Sequence, residues 1–174
     1  MKRIAWVLSL LVATSVIAQP RPEAQLAAMK KLDGMVGVWK GEGWIEMGGP
    51  RLAFRGSETV QRKLHGVALL VEGAFFAKPP GAEAEVPVHT TLAVISFDPK
   101  SAKYAFSTWL ATGTSGDHEL VLRENGWQWQ LQTPGGATVR YTTTFANGQW
   151  VEVGERSTDG TTWKQFFEMK LKKE

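Results

Sequence analysis

The chain has no cysteine among its 174 residues, which excludes disulfides, thiolate metal sites and thiol nucleophiles in one step. Histidine is nearly as scarce, with only His65, His89 and His118. No His-Glu-x-x-His, Gly-x-Ser-x-Gly or phosphate-cradling glycine loop occurs, so common hydrolase, metalloprotease and nucleotide chemistries have no motif to stand on. No catalytic residue, metal site or cofactor is assigned from the sequence. Helical periodicity is confined to one short stretch, and a chain without crossover helices cannot build parallel βαβ units.

What is present begins with a signal-like leader. Lys2 and Arg3 precede an apolar run from Ile4 to Ile17, and Val16 and Ala18 suit cleavage just before Gln19. The run is shorter than the roughly 20 residues a membrane span needs, and Gln19-Pro20-Arg21-Pro22 follows at once. The expectation is therefore a signal peptide over 1–18, export to the periplasm or beyond the cell, and no integral span after cleavage. Cleavage would leave 156 of the 174 residues, with 18 basic against 17 acidic side chains in place of a net +3. A balance this close to neutral points to neither nucleic acid nor an anionic membrane surface as partner.

Residues 19–36 then read as a short segment and helix, with Pro22 opening an Ala-rich stretch to Leu32 before Gly34 and Gly37. From 37 to 174 the pattern changes to the period of two. Ten strand-like segments follow: Val38 to Met47, Arg51 to Leu64, Val67 to Ala77, Val86 to Phe97, Lys103 to Ala111, His118 to Arg123, Trp127 to Thr133, Thr138 to Phe145, Gln149 to Ser157 and Thr162 to Lys172. Turn pairs Asn125-Gly126, Gly135-Gly136, Asn147-Gly148 and Asp159-Gly160 punctuate the second half, and Lys78 to Glu85 reads as an exposed loop at a barrel mouth. The fold predicted is all-β, an antiparallel up-and-down barrel of about ten strands with a short N-terminal helix. A barrel of this size either fills itself or keeps an interior for one small ligand.

The opening Gly37-Val38-Trp39-Lys40-Gly41-Glu42-Gly43, after a short helix, resembles the calycins, the lipocalin and fatty-acid-binding-protein group. Together with Trp150-x-Glu152-x-Gly154-Glu155-x-Ser157-x-Asp159-Gly160-x-x-Trp163, it resembles more closely a lipocalin-like bacterial family of uncharacterised function, the DUF1579 type. The resemblance implies the barrel, Gly37 and Trp39 as its structural motif, and a binding habit, but no activity. Trp39, Gly41 and Gly43 also match the opening of nitrobindin-like haem barrels, which need a proximal histidine near the chain end; here no histidine follows His118. Haem would have to recruit His65, His89 or His118.

Parity places several polar residues on inward faces. Glu58 and Arg62 share a face with Leu52, Phe54, Val60 and Leu64; Glu152 and Arg156 share one with Trp150; Gln165 shares one with Trp163, Phe167, Met169 and Leu171. Charges inside a barrel are costly unless paired. They are expected to meet one another, water or a ligand, unless a bulge near Gly56 or Gly154 shifts the parity. Trp127, Trp129 and Leu131 alternate with Gln128, Gln130 and Gln132, and Tyr141 and Phe145 repeat the alternation on the next strand, flanking Thr143, so aromatic rings supply the wall.

The candidate ligand-binding set is Glu58, Arg62, Trp127, Tyr141, Glu152, Arg156 and Gln165, with Arg62 or Arg156 receiving a carboxylate head. The leading expectation is an exported barrel for a small hydrophobic or amphipathic molecule. The alternatives are a filled structural or interaction barrel with exposed surface around Trp44, a haem binder, and a barrel enzyme using Glu58 or Glu152 as base.

Overall fold

The structure is a computed structural model describing residues 21–174, so the leader expected over 1–18 lies outside the described residues. Helix α1 (Glu23–Lys30) and a 3₁₀ turn (Asp33–Met35) lead into ten strands. These are β1 (Gly37–Ile45), β2 (Leu52–Lys63), β3 (Ala68–Ala77), β4 (Val86–Asp98), β5 (Lys103–Leu110), β6 (Ser115–Arg123), β7 (Gly126–Gln132), β8 (Thr138–Ala146), β9 (Gln149–Ser157) and β10 (Lys164–Lys173). Every strand pairs antiparallel with its sequence neighbours, and β1 pairs with β10, from Trp39 opposite Lys173 to Ile45 opposite Phe167, closing the barrel. No described helix is long and apolar enough to cross a membrane.

The two ends differ because the connections alternate. At one end lie the tight links, including Asn147-Gly148, both at positive φ (53° and 72°) as an Asn-Gly hairpin requires. At the other lie the longer loops, among them residues 78–85, whose Glu85 accepts a fork of bonds from Arg55 at 2.6 to 3.1 Å. The Asn125-Gly126 pair behaves differently from expectation: the turn falls on Glu124 and Asn125, and Gly126 is already in β7. A Cβ at Gly126 would strike the Thr143 backbone, so this glycine serves close strand approach.

Helix α1 plugs the end with the tight turns. Ala28, Met29, Leu32 and Met35 are buried against the strands, and the Tyr104 hydroxyl donates to the Ala28 carbonyl at 2.8 Å. Trp39 is 2% exposed; its indole N–H donates to the Met35 carbonyl at 2.6 Å, and its ring meets Phe145 and Trp150 edge-on at 5.6 and 5.7 Å. Trp127 joins the same cluster, 4.6 Å from Phe145. Outside, Gln128 and Gln132 donate to Thr142 and Thr138, so the amide face of β7 is satisfied along β8.

Candidate functional site

Above this floor, toward the loop end, the interior is ringed by aromatic side chains brought from six strands. Contacts run from Phe75 (β3) to Phe54 (β2), Phe167 (β10), Tyr141 (β8), Trp129 (β7) and Phe106 (β5), with centroid spacings of 5.5, 5.6, 5.7, 4.7 and 5.2 Å. Strands β1 and β9 contribute Gly43 and Gly154 at the matching rows, and a Cβ there would collide with Phe54 and Tyr141 respectively. Their lack of a side chain is what lets rings from neighbouring strands close the collar. Phe106, Trp129, Tyr141 and Phe167 face inward yet are only half-buried, so solvent reaches the collar from the mouth.

Directly below the collar are two carboxyl groups. Glu58 is 9% exposed, opposite Trp39 on β1 and Gly73 on β3. Its carboxyl lies where a Gly73 side chain would be, and its Oε2 has no hydrogen-bond partner among the described residues. Glu152 faces it from β9. The fully buried Thr143 hydroxyl donates to Glu152 Oε2 at 2.6 Å, while the Trp150 indole N–H favours the ionised form from nearby without completing a hydrogen bond. Glu152 retains some solvent contact although its carboxyl is densely surrounded by protein.

Burial pushes the Glu58 carboxyl up to about 8, with the Glu152 charge adding to the rise. Glu152 is itself raised by burial, against the pull of Thr143 and Trp150, and Tyr141 is raised by burial and by the Glu152 charge. Burial and the neighbouring Glu152 charge together keep Glu58 protonated near neutral pH. The geometry therefore offers an acidic centre under an aromatic ring. Among the described residues no lysine or arginine forms an ion pair with either acid.

The expected Glu/Arg sets do not form. Arg62 has the inward parity of Glu58, but it stands at the end of β2, where it is exposed and pairs with Asp33 at 2.5 Å across the plugged end. Arg156 occupies the corresponding inward row at the opposite end of β9 and is exposed at the mouth. Gln165 is turned outward: β10 carries a bulge at Phe166, so Gln165 pairs with Glu155 while Phe167 pairs with Gly154. The parity shift that Gly154 suggested thus lies on the strand across from it, and the β2–β3 ladder runs through Gly56 without interruption. Trp127 is a floor residue beneath the acids rather than a collar residue.

The histidines are dispersed. His65 lies in the β2–β3 connection at φ 58°. His118 points inward against Trp129 at 4.8 Å, with burial lowering its pKa and Asp117 opposing. His89 is surface-accessible at the mouth end of β4, yet packed closely enough near Phe75 that desolvation lowers its pKa. Asp117 and Glu119 face out to Ser107 and Lys103, so Asp117-His118-Glu119 does not converge on one point. Trp44 is on the outer face as expected, covered by the Arg51 guanidinium at 3.7 Å.

Replacing Gly73 by valine tests the position of the Glu58 carboxyl. The new side chain would press on Glu58 and on the Thr91 hydroxyl, both within 2.8 Å of the Cβ position. A loss of about 1–3 kcal/mol in urea unfolding is expected; unchanged stability would mean that Glu58 does not lie over Gly73.

The collar itself was not read from the sequence. Its rings are inward by parity, but only the register brings them into one belt, and the sequence marks it only through the glycines at 43, 56 and 154 in otherwise regular strands. No protein-family model and no curated protein matches the chain.

Proposed function

We propose that this protein is an exported, lipocalin-like barrel that holds a small hydrophobic or amphipathic molecule between its aromatic collar and the Glu58/Glu152 pair. One observation carries the reading: a ring of aromatic side chains, four of its six half-buried, stands over a buried Glu58 carboxyl oxygen that nothing among the described residues satisfies. Orphaned buried polar atoms are rare and call for a partner, and an apolar wall with few convergent polar groups is the usual make-up of a small-molecule site. The likeness of Gly37-Val38-Trp39 and the preceding helix to calycins supports the same reading.

The test is native mass spectrometry and absorbance on protein purified from the export compartment without refolding, followed by titration with the neutral dye Nile red. A stoichiometric adduct of small mass, or saturable dye binding that quenches tryptophan emission, is the expected result. A bare mass together with no dye binding would overturn the ligand reading in favour of a filled barrel. A second reading rests on Glu58 alone, since a carboxyl raised to about 8 suits general acid–base work. It requires a turnover that Glu58→Gln abolishes with folding intact.

A further inference from the structure

The pair of acids beneath the collar has a chemical preference that the calycin likeness does not supply. We infer that the interior takes an organic monocation, a primary or secondary ammonium on an apolar or aromatic body, with Glu58 and Glu152 as its counter-charge. The inference rests on the reading of the barrel as a ligand carrier and adds the class of ligand.

Three independent features converge. The first is sign: among the described residues the acids have no basic partner, and the two arginines that could have recruited an anionic head stand elsewhere, Arg62 held by Asp33 and Arg156 exposed at the mouth. An anionic head would oppose the ionisation of both acids further; a cation favours it. The second is the orphan acceptor. Glu58 Oε2 is buried without a donor, and an ammonium brings N–H donors and no acceptor. The third is the wall: Phe54, Phe75, Phe167, Tyr141 and Trp129 stand in mutual contact above the acids. Aromatic faces attract cations through their quadrupole, most strongly where water is excluded.

Around the pair stand Tyr141 and Thr143 from β8 and Thr91 from β4, with Trp39, Gly73 and Met169 from β1, β3 and β10. His118 and His89 stand nearer the mouth on β6 and β4. Entry of an ammonium displaces the Glu58 proton: the O–H bond of its carboxylic acid breaks, the proton leaves to solvent, and an ammonium–carboxylate contact takes its place. Net charge in the site is conserved, so no other co-reactant is needed.

The probes are octylammonium, octanol and octanoate, which share a tail and differ in head, titrated by calorimetry at pH 7 in phosphate and in Tris. Octylammonium is expected to bind at least tenfold tighter than the other two, with release of close to one proton read from the difference between buffers. Glu58→Gln is expected to weaken octylammonium at least tenfold and to leave octanol within a few-fold. Because head-group preference and proton release are read on the unaltered protein, the inference stays testable even if the variant fails to fold. Octanol or octanoate binding as tightly as octylammonium, or octylammonium binding without proton release, overturns the cation assignment while leaving a ligand-binding barrel. If none of the three binds and Nile red does not either, both readings fall together.

Discussion

Raising the pH from 5 to 8 is expected to cost the ligand-free barrel about 3–4 kcal/mol of stability that a Glu58→Gln variant does not lose. The folded-state pKa of Glu58 is raised to about 8 from 4.5. Below 4.5 the carboxyl is protonated in both folded and unfolded chains and nothing is lost. Between 4.5 and about 8 the unfolded chain sheds a proton that the folded chain keeps, and stability falls by about 1.4 kcal/mol per pH unit. Above about 8 both states are ionised and the decline levels off. Glu152, also raised, adds to the fall in the same sense.

Other groups act in the opposite direction. His89 and His118 have lowered pKa values, so the unfolded chain binds more protons just below the ordinary histidine range, and stability rises with pH there. Glu85, Asp98 and Asp159 are held down by their bonds to Arg55, to Ser101 and Lys100, and to Thr161 and Thr162; their contribution is lost only in acid. For this reason the measurement is the difference between wild type and Glu58→Gln, by urea unfolding at pH 5, 6, 7 and 8. The variant is expected to be the more stable of the two at pH 8. A constant difference across the range would show that Glu58 ionises as an ordinary surface carboxylate and would remove the acidic centre on which the site is built.

The second large effect concerns the plug. Trp39→Ala is expected to destabilise the protein by about 3–5 kcal/mol, the range for deleting a large aromatic side chain from a packed core. The cost has two sources. The indole is 2% exposed and its removal leaves a cavity between Phe145 and Trp150; it also orphans the Met35 carbonyl, which accepts from the indole at 2.6 Å. For a domain of this size the melting temperature should drop by roughly 10 °C. Trp39→Phe keeps most of the packing and loses the hydrogen bond, so it should fall between the two. A loss below about 1 kcal/mol for alanine would mean that α1 does not seal the barrel through Trp39.

Much of this architecture was legible in local patterns, because strand parity and turn chemistry are local. Asn147-Gly148 marked its hairpin through the positive φ that both positions need, and the alternation of Trp127 and Trp129 with Gln128 and Gln130 gave the two faces of β7 correctly. The inward placement of Glu58 and Glu152 followed from the same parity. What parity cannot give is depth. Arg62 is four residues beyond Glu58 on the same face, and those four residues carry it to the plugged rim of the barrel, where it meets Asp33. Gln165 failed for another reason: two adjacent phenylalanines, Phe166 and Phe167, conceal a bulge, since either ring is suited to the interior. The collar and the opposition of the two acids depend on register between strands remote in sequence, which no single window contains.

Closure of the ring also has a temporal consequence. Among the described residues, the ladder joining the first strand to the last pairs residues 39–45 with 167–173, a contact of very high sequence separation, whereas the other ladders join sequence neighbours. Hairpins of the meander can form as they emerge, but a chain lacking its final ten or so residues has both β1 and β9 as open edges, with backbone donors and acceptors available to another molecule. Residues Lys164–Lys173 are thus the clasp of the barrel, and a nascent or C-terminally truncated chain is at its most adhesive until they arrive.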